Sequence, residues 1–211
     1  MATFKTAPTK SNLLSLKRQL AFAEEGYDLL EQKRQILIFE LMSRLKRARD
    51  TEQGATESLR RAFSALKEAS LDKGSEALDR AALGVRMGHK ITIADQHLMG
   101  ITIPRVTAQI EPPSVQFGVG GTSAHTDVTM QRFVEALPLL AELAELENAV
   151  VRLARELRKT QRRCNALSKI FIPDYRETIS YITAALEERE RESFVILKMV
   201  RDHLAKVGAG D

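Results

Sequence analysis

Tryptophan is absent from this 211-residue chain and aromatic residues reach only 5%, so the ring clusters that fill the centre of a compact globular domain have little to be built from. One cysteine, Cys164, excludes an internal disulfide and fits a reducing compartment. No window supplies the roughly 18 apolar residues of a membrane span, and the opening MATFKTAPTKSN has no apolar stretch like that of a signal peptide. The expectation is a soluble, cytoplasmic protein with no direct membrane insertion. Charge of one sign is also lacking: 32 Lys and Arg stand against 28 Asp and Glu, a net +4 that is weak evidence for a nucleic-acid partner.

Proline and glycine are missing where they would interrupt a helix. Between Thr9 and Ser70 there is no proline, and the only glycines are Gly26 and Gly54. Leu13, Leu16, Leu20, Ala23, Tyr27, Leu30, Arg34, Leu37 and Leu41 follow a 3-4 spacing, which predicts one long helix with a single apolar stripe. The stripe goes on through Leu45, Ala48, Glu52, Ala55, Leu59, Ala62, Leu66 and Ala69. Two successive steps of four, Leu37 to Leu41 to Leu45, make a stutter that relaxes the supercoil.

A second arm is expected from an N-cap at Asp127 to about Val207. Its stripe runs Leu143, Leu146, Val150, Leu153, Leu157, Thr160, Cys164, Leu167 and Phe171, then Tyr175, Ile179, Ile182, Leu186, Phe194, Leu197 and Leu204. Pro173 lies inside this pattern and predicts a kink. Between the arms, KITIADQHLMGITIPRVTAQI is rich in β-branched residues and turns at Gly100, which reads as a short β-hairpin. EPPSVQFGVGGTSAHTD then reads as a return loop. The expected class is all-α and elongated: an antiparallel two-helix coiled coil made of a first helix (1–70) and a last helix (128–211), with a lobe of short helix, β-hairpin and Gly/Pro-rich loop (71–127) inserted between them. Facing positions in such a pair have numbers with a nearly constant sum, which predicts Leu37 near Ile179 and Leu66 near Val150.

Chemistry-bearing constellations do not assemble. His89, His97, His125 and His203 are scattered and lack metal-site company. Cys164 falls on the apolar stripe, where a small buried hydrophobe is expected. The glycines of Gly118-Val119-Gly120-Gly121-Thr122-Ser123 resemble a phosphate cradle but lack its lysine. Arg44, Lys46, Arg47 and Arg49 form a basic turn without interleaved aromatics, and the run from Glu187 to Glu192 supports itself through i,i+3 and i,i+4 pairs with Arg191. No catalytic residue, cofactor or metal is expected.

With the chain divided in this way, three segments carry a resemblance. The first is Pro8-Thr9-Lys10-Ser11-Asn12-Leu13-Leu14, followed by Ala23-Glu24-Glu25-Gly26-Tyr27-Asp28-Leu29-Leu30-Glu31-Gln32-Lys33-Arg34; the second is Met99-Gly100-Ile101-Thr102-Ile103-Pro104 with Gly121-Thr122-Ser123-Ala124. The third and most specific runs from Arg162-Arg163-Cys164-Asn165-Ala166-Leu167 through Ile172-Pro173 to Leu186-Glu187-Glu188-Arg189-Glu190-Arg191-Glu192-Ser193-Phe194. In order and over nearly its whole length, the sequence resembles the D subunits of the V/A-type rotary ATPases. It departs from the pattern at Cys164, where an aliphatic residue is expected.

The resemblance implies a non-catalytic rotor axle, peripheral to the membrane, with its termini inside a ring of A and B subunits. It also implies an F subunit on its side and an adaptor subunit joining it to the membrane rotor, during transport of protons or sodium or synthesis of ATP. Lys10, Lys17, Arg18, Lys198 and Arg201 are then candidates to face the ring. Met99, Gly100, Ile101 and Pro104 are candidates for a partner contact by a hairpin that projects from the pair, because a two-stranded unit is marginal alone. A free-standing coiled-coil scaffold or adaptor is the alternative. Ile36, Ile38 and Phe39, beside the main stripe, are expected to be exposed and to favour a partner.

Overall fold

The computed structural model describes residues 7–85, 88–111 and 122–207, with side chains to 203. Helix α1 spans Lys10–Lys73 and α2 spans Ser75–Leu83; strands β1 (Lys90–Leu98) and β2 (Ile101–Gln109) form one antiparallel sheet. Helix α3 covers Ala124–Ala166, a π-helical turn covers Leu167–Phe171, and α4 covers Ile172–Val207. A long first helix, a long last helical arm and a central hairpin are therefore the architecture that the stripes and the β-branched insert implied.

Helix α1 ends because Gly74 takes φ +80, which closes its last turn through a Gly74 N–H to Ser70 C=O bond of 2.9 Å and frees the chain to restart as α2. Helix α3 begins three residues before the expected cap. The Ser123 N–H donates to Thr126 Oγ1 and the Thr126 N–H to Ser123 C=O, so the hydroxyl of Thr126 organises the start and Asp127 supplies first-turn charge instead.

The chain forms two compact units. The first holds residues 7–35 and 158–207, where Lys10 meets Glu190, Glu24 meets Arg176 and Arg34 meets Gln161, an antiparallel order. The seam buries Leu16, Ala23, Thr160, Cys164, Ile172, Thr178 and Ile182. In the second, residues 36–73 of α1 pair with α3 up to Leu157; Arg47 meets Glu142, the Phe63 and Phe133 rings pack edge to face, and Glu68 meets His125. Its buried alanines, Ala48, Ala55, Ala62 and Ala69, recur every seven residues and leave room for close helix approach, with Ala136, Leu146 and Ala149 buried from α3.

The expected partnering of Leu37 with Ile179 and of Leu66 with Val150 does not form. Leu37 packs instead with Ala149, Leu153 and Ile103, and beside Leu66 it is Phe63 that meets Phe133. A stripe with period seven matches itself after every slide of seven, so apolar pattern alone does not select a register. A flush-ended register fails because α4 continues beyond Glu190, the partner of Lys10, to Val207.

Near Pro173 the helix widens. Pro173 has no N–H and crowds the carbonyl four residues back, that of Lys169, inside the π turn. The Ile172 N–H reaches five residues back to Leu167 C=O. One extra residue is thereby absorbed, so Ile172 is buried and Phe171, expected on the stripe, is exposed.

Candidate functional site

The hairpin turns through two residues with positive φ, Met99 at 52 and Gly100 at 77, the combination that matches the right-handed twist of tightly linked strands. Register follows as Leu98 opposite Ile101, Gln96 opposite Ile103, Ile93 opposite Val106 and Lys90 opposite Gln109. Pro104 sits in β2 without disrupting the sheet, for a reason legible in the contacts of the strand.

Directly opposed residues in an antiparallel pair alternate between those that exchange both ladder bonds and those whose N–H and C=O point away from the partner strand. The Val106 N–H donates to Glu145 Oε2 at 2.7 Å, and the Thr102 C=O accepts from Arg152 Nη1 at 2.7 Å, both from α3. Thr102, Pro104 and Val106 therefore face outward, and the N–H that Pro104 lacks is not a ladder donor. Side chains of α3 thus cap the free edge of β2. By the same register, Ile91, Ile93, Asp95 and His97 direct their backbone groups outward from β1, whose residues are exposed from Lys90 to His97.

The expected free projection of the hairpin is corrected by this packing. Ile103 is only 2% exposed and is buried against Leu37, Ala149 and Leu153, with Leu98, Ile101, Leu41 and Leu157 around it. Of the four candidate contact residues, Met99 and Gly100 are exposed at the tip, Ile101 packs on this core, and Pro104 lines a groove. The groove, about 750 Å³, lies between the other face of the sheet (Ile91, Ile93, Val106 and Ala108) and Leu137, Leu140, Ala141 and Ala144 of α3. Its charged lining residues are Lys90 and Arg152, both cationic.

The five candidate ring-facing cations differ in their engagement. All are exposed, but Lys10 Nζ lies 2.8 Å from Glu190, which raises the Lys10 ammonium and lowers the Glu190 carboxyl from their usual pKa values by hydrogen bonding. Arg201 is paired with neighbouring Asp202 at 2.9 Å. Lys17, Arg18 and Lys198 form no ion pair among the described residues. Before the charged pair Arg201 and Asp202, the residues around Lys198 are apolar and exposed: Phe194, Val195, Ile196, Leu197, Met199 and Val200. Phe194 and Leu197 were expected on the seam, and the overhang of α4 beyond Glu190 explains their exposure. Ile36, Ile38 and Phe39 are exposed as the sequence indicated.

A polar group in the seam escaped sequence reading. Arg34 occupies a stripe position and donates through Nε to Glu31 Oε2 at 2.9 Å and through Nη1 to Gln161 Oε1 at 3.0 Å; Gln161 passes its amide to Asn165 Oδ1 at 3.0 Å. The hydrogen bonds from Arg34 hold the Glu31 carboxyl below its usual range. Cys164 is buried beside this network, and loss of solvent pushes its thiol up, away from the reactive thiolate. The basic turn is tied down in part, Arg44 to Glu40 and Arg47 to Glu142, and Arg191 bridges Glu187 and Glu188 as the spacing indicated. The glycine run Gly118-Gly121 lies outside the described residues. Among the described residues no three His, Cys, Asp or Glu side chains gather as a metal site, and no helix is long and apolar enough to cross a membrane.

Comparison with known proteins places this architecture. The family model for the D subunit of ATP synthase matches residues 12–202. The A-type ATP synthase D subunit of Methanosphaera stadtmanae is 38% identical over 200 residues, covering 93% of this chain and 94% of the relative. The V-type ATP synthase D subunit of Thermotoga neapolitana is 36% identical over 200 residues, covering 95% and 98%. The A-type ATP synthase D subunit of Thermococcus sibiricus is 37% identical over 200 residues, covering 93% and 94%. With helices zipped in antiparallel order and a hairpin strapped to α3, and with relatives aligned almost end to end, the chain belongs to the family of ATP synthase D subunits.

Proposed function

We propose that this chain is the central axle of an A/V-type rotary ATPase, a non-catalytic subunit that transmits torque between a catalytic ring of A and B subunits and a membrane rotor reached through an adaptor subunit. One observation carries the reading: in each unit, helices far apart in sequence are zipped in antiparallel order along a narrow seam of small and aliphatic side chains. Interlocked side chains resist relative sliding and twisting, whereas a lone helix in water is marginal.

The overhang of α4 supports placing the terminal end of the axle inside the ring, because its exposed apolar residues and exposed Lys198 are suited to surroundings supplied by other subunits. Lys17, Arg18, Lys198 and Arg201 are the cations offered to that ring, while Lys10 serves mainly to hold Glu190. The exposed residues Ile36 and Phe39 offer an apolar face to a side-binding partner, the F subunit. The hairpin supplies a further partner contact.

The test is rotation. A bead fixed to the hairpin tip of this chain, in a complex whose A and B subunits are anchored, is expected to turn stepwise as ATP is hydrolysed. Steady hydrolysis over a stationary bead refutes the axle. ATP turnover by the purified chain alone refutes the non-catalytic role.

A further inference from the structure

We infer that the free edge of β1 is a docking site for an extended segment of another ATPase subunit, which adds to the hairpin as a third strand. The inference rests on reading the hairpin as a partner contact, and it specifies how that contact is made.

The two edges of the sheet are treated differently. On β2, α3 supplies the Glu145 carboxylate to the Val106 N–H and the Arg152 guanidinium to the Thr102 C=O, and Pro104 removes a third group from the edge. No described side chain does this for β1. Ile91, Ile93, Asp95 and His97 therefore present outward N–H and C=O groups along a nine-residue strand, which is a template for strand pairing. Natural edges are usually blunted by shortness, charged side chains, proline or bulges; β1 is nine residues long with no proline or bulge, and Lys90 and Asp95 are its charged side chains.

The side chains agree with the backbone. Ile91 and Ile93 are 63% and 67% exposed, unusual values for β-branched residues on the sheet face that looks toward α3. A strand added beside β1 would alternate its side chains, and every second one would lie beside Ile91 and Ile93, which form the outer wall of the apolar groove. Charge complementarity describes the occupant further. Along β1 the charged groups are Lys90, at the open end of the hairpin and lining the groove, and Asp95, toward the turn on the same face as Ile91 and Ile93. The fitting segment is extended, apolar at alternate positions, acidic at the end that meets Lys90 and basic at the end that meets Asp95.

The experiment compares amide hydrogen exchange in the isolated chain and in the ATPase complex assembled with it. The outward amides of Ile91, Ile93, Asp95 and His97 are expected to exchange freely in isolation and at least about tenfold more slowly in the complex. Ile93→Pro removes an outward donor and leaves the ladder intact, as Pro104 does on β2; it should weaken retention of the chain in the complex about tenfold or more. Ile91→Asp keeps every backbone donor but places a carboxylate under the added strand, and should have the same effect. Unchanged exchange and retention in both variants would overturn the docking edge. If replacing Lys90–Gln109 by a Gly-Ser linker weakens assembly while those variants do not, the hairpin contact stands and the added strand falls. If the linker also has no effect, both fall. Protection already present in the isolated chain, and abolished by V115S, F117S and V119S together, would mean that the chain covers its own edge, which also overturns the inference.

Discussion

Ile103→Ala should detach the hairpin from the helices without melting them. Ile103 is the one fully buried side chain of the sheet, enclosed by Leu37, Ala149 and Leu153. Truncating a buried isoleucine to alanine costs about 2–5 kcal/mol, the upper part where the walls are helices that do not collapse into the void. What else binds the sheet is smaller: the Glu145 and Arg152 hydrogen bonds lie near the surface and contribute roughly 1 kcal/mol each, and Leu98 and Ile101 are only half-buried. A loss of about 3 kcal/mol raises the population of the open hairpin roughly 100-fold. The inward amides of Thr92, Ala94, Gln96, Arg105 and Thr107 should therefore exchange roughly 100-fold faster, whereas helical circular dichroism at 25 °C stays within a few per cent of the parent. Ile103→Val, at about 1 kcal/mol, should accelerate exchange by less than about tenfold. Unchanged exchange in Ile103→Ala would refute the anchoring argument; simultaneous loss of the helices would refute the idea that the hairpin opens separately.

Three further outcomes follow from the same contacts. Met99→Asn should stabilise the hairpin by about 0.5–1 kcal/mol, since asparagine tolerates the positive φ at this turn position better than methionine, and Gly100→Ala should destabilise it by about 1 kcal/mol; exchange of the ladder amides reads both. The Cys164 thiol should resist a disulfide reagent at neutral pH until the chain is denatured. Because its pKa is raised on folding, its contribution is complete below the usual thiol value of 9.0 and lost as pH rises through and above it, so Cys164→Ala should flatten the alkaline fall in stability. Glu31 has the opposite sign: its folded pKa is lowered, so its contribution is present above the usual 4.5 and lost as pH falls through the folded value, and urea titrations of Glu31→Gln should converge on the parent at acid pH.

The helices, the hairpin and the 11-residue step from Leu37 to Ala48 were legible because each is a local pattern: spacing of leucines and alanines, β-branched alternation, a glycine at a turn. Membership of the family was legible too, since long segments match in order. Register was not, because a heptad stripe is blind to slides of seven, and the groups that fix it, such as Arg34 with Gln161, are distant in sequence. The π turn was half legible: Pro173 marked the place, but an absorbed residue shows only when burial moves from Phe171 to Ile172. The hairpin was identified by its own residues and misjudged in its setting, since nothing local in Glu145 or Arg152 announces that they serve the backbone of β2.

The widened turn at Leu167–Phe171 acts as an angular index on the last arm. Each residue of an α-helix advances the azimuth by about 100°, so the absorbed residue fixes which flank of α4, from Tyr175 to Ile182, looks inward at the first helix. Restoring an ordinary α-helical repeat at unchanged length would swing that flank by roughly a quarter of a revolution, presenting Phe171 where Ile172 now sits, whereas excising Ser168 as well would swing it back. With its length unchanged, α4 would then keep every residue and still turn the wrong flank to the first helix.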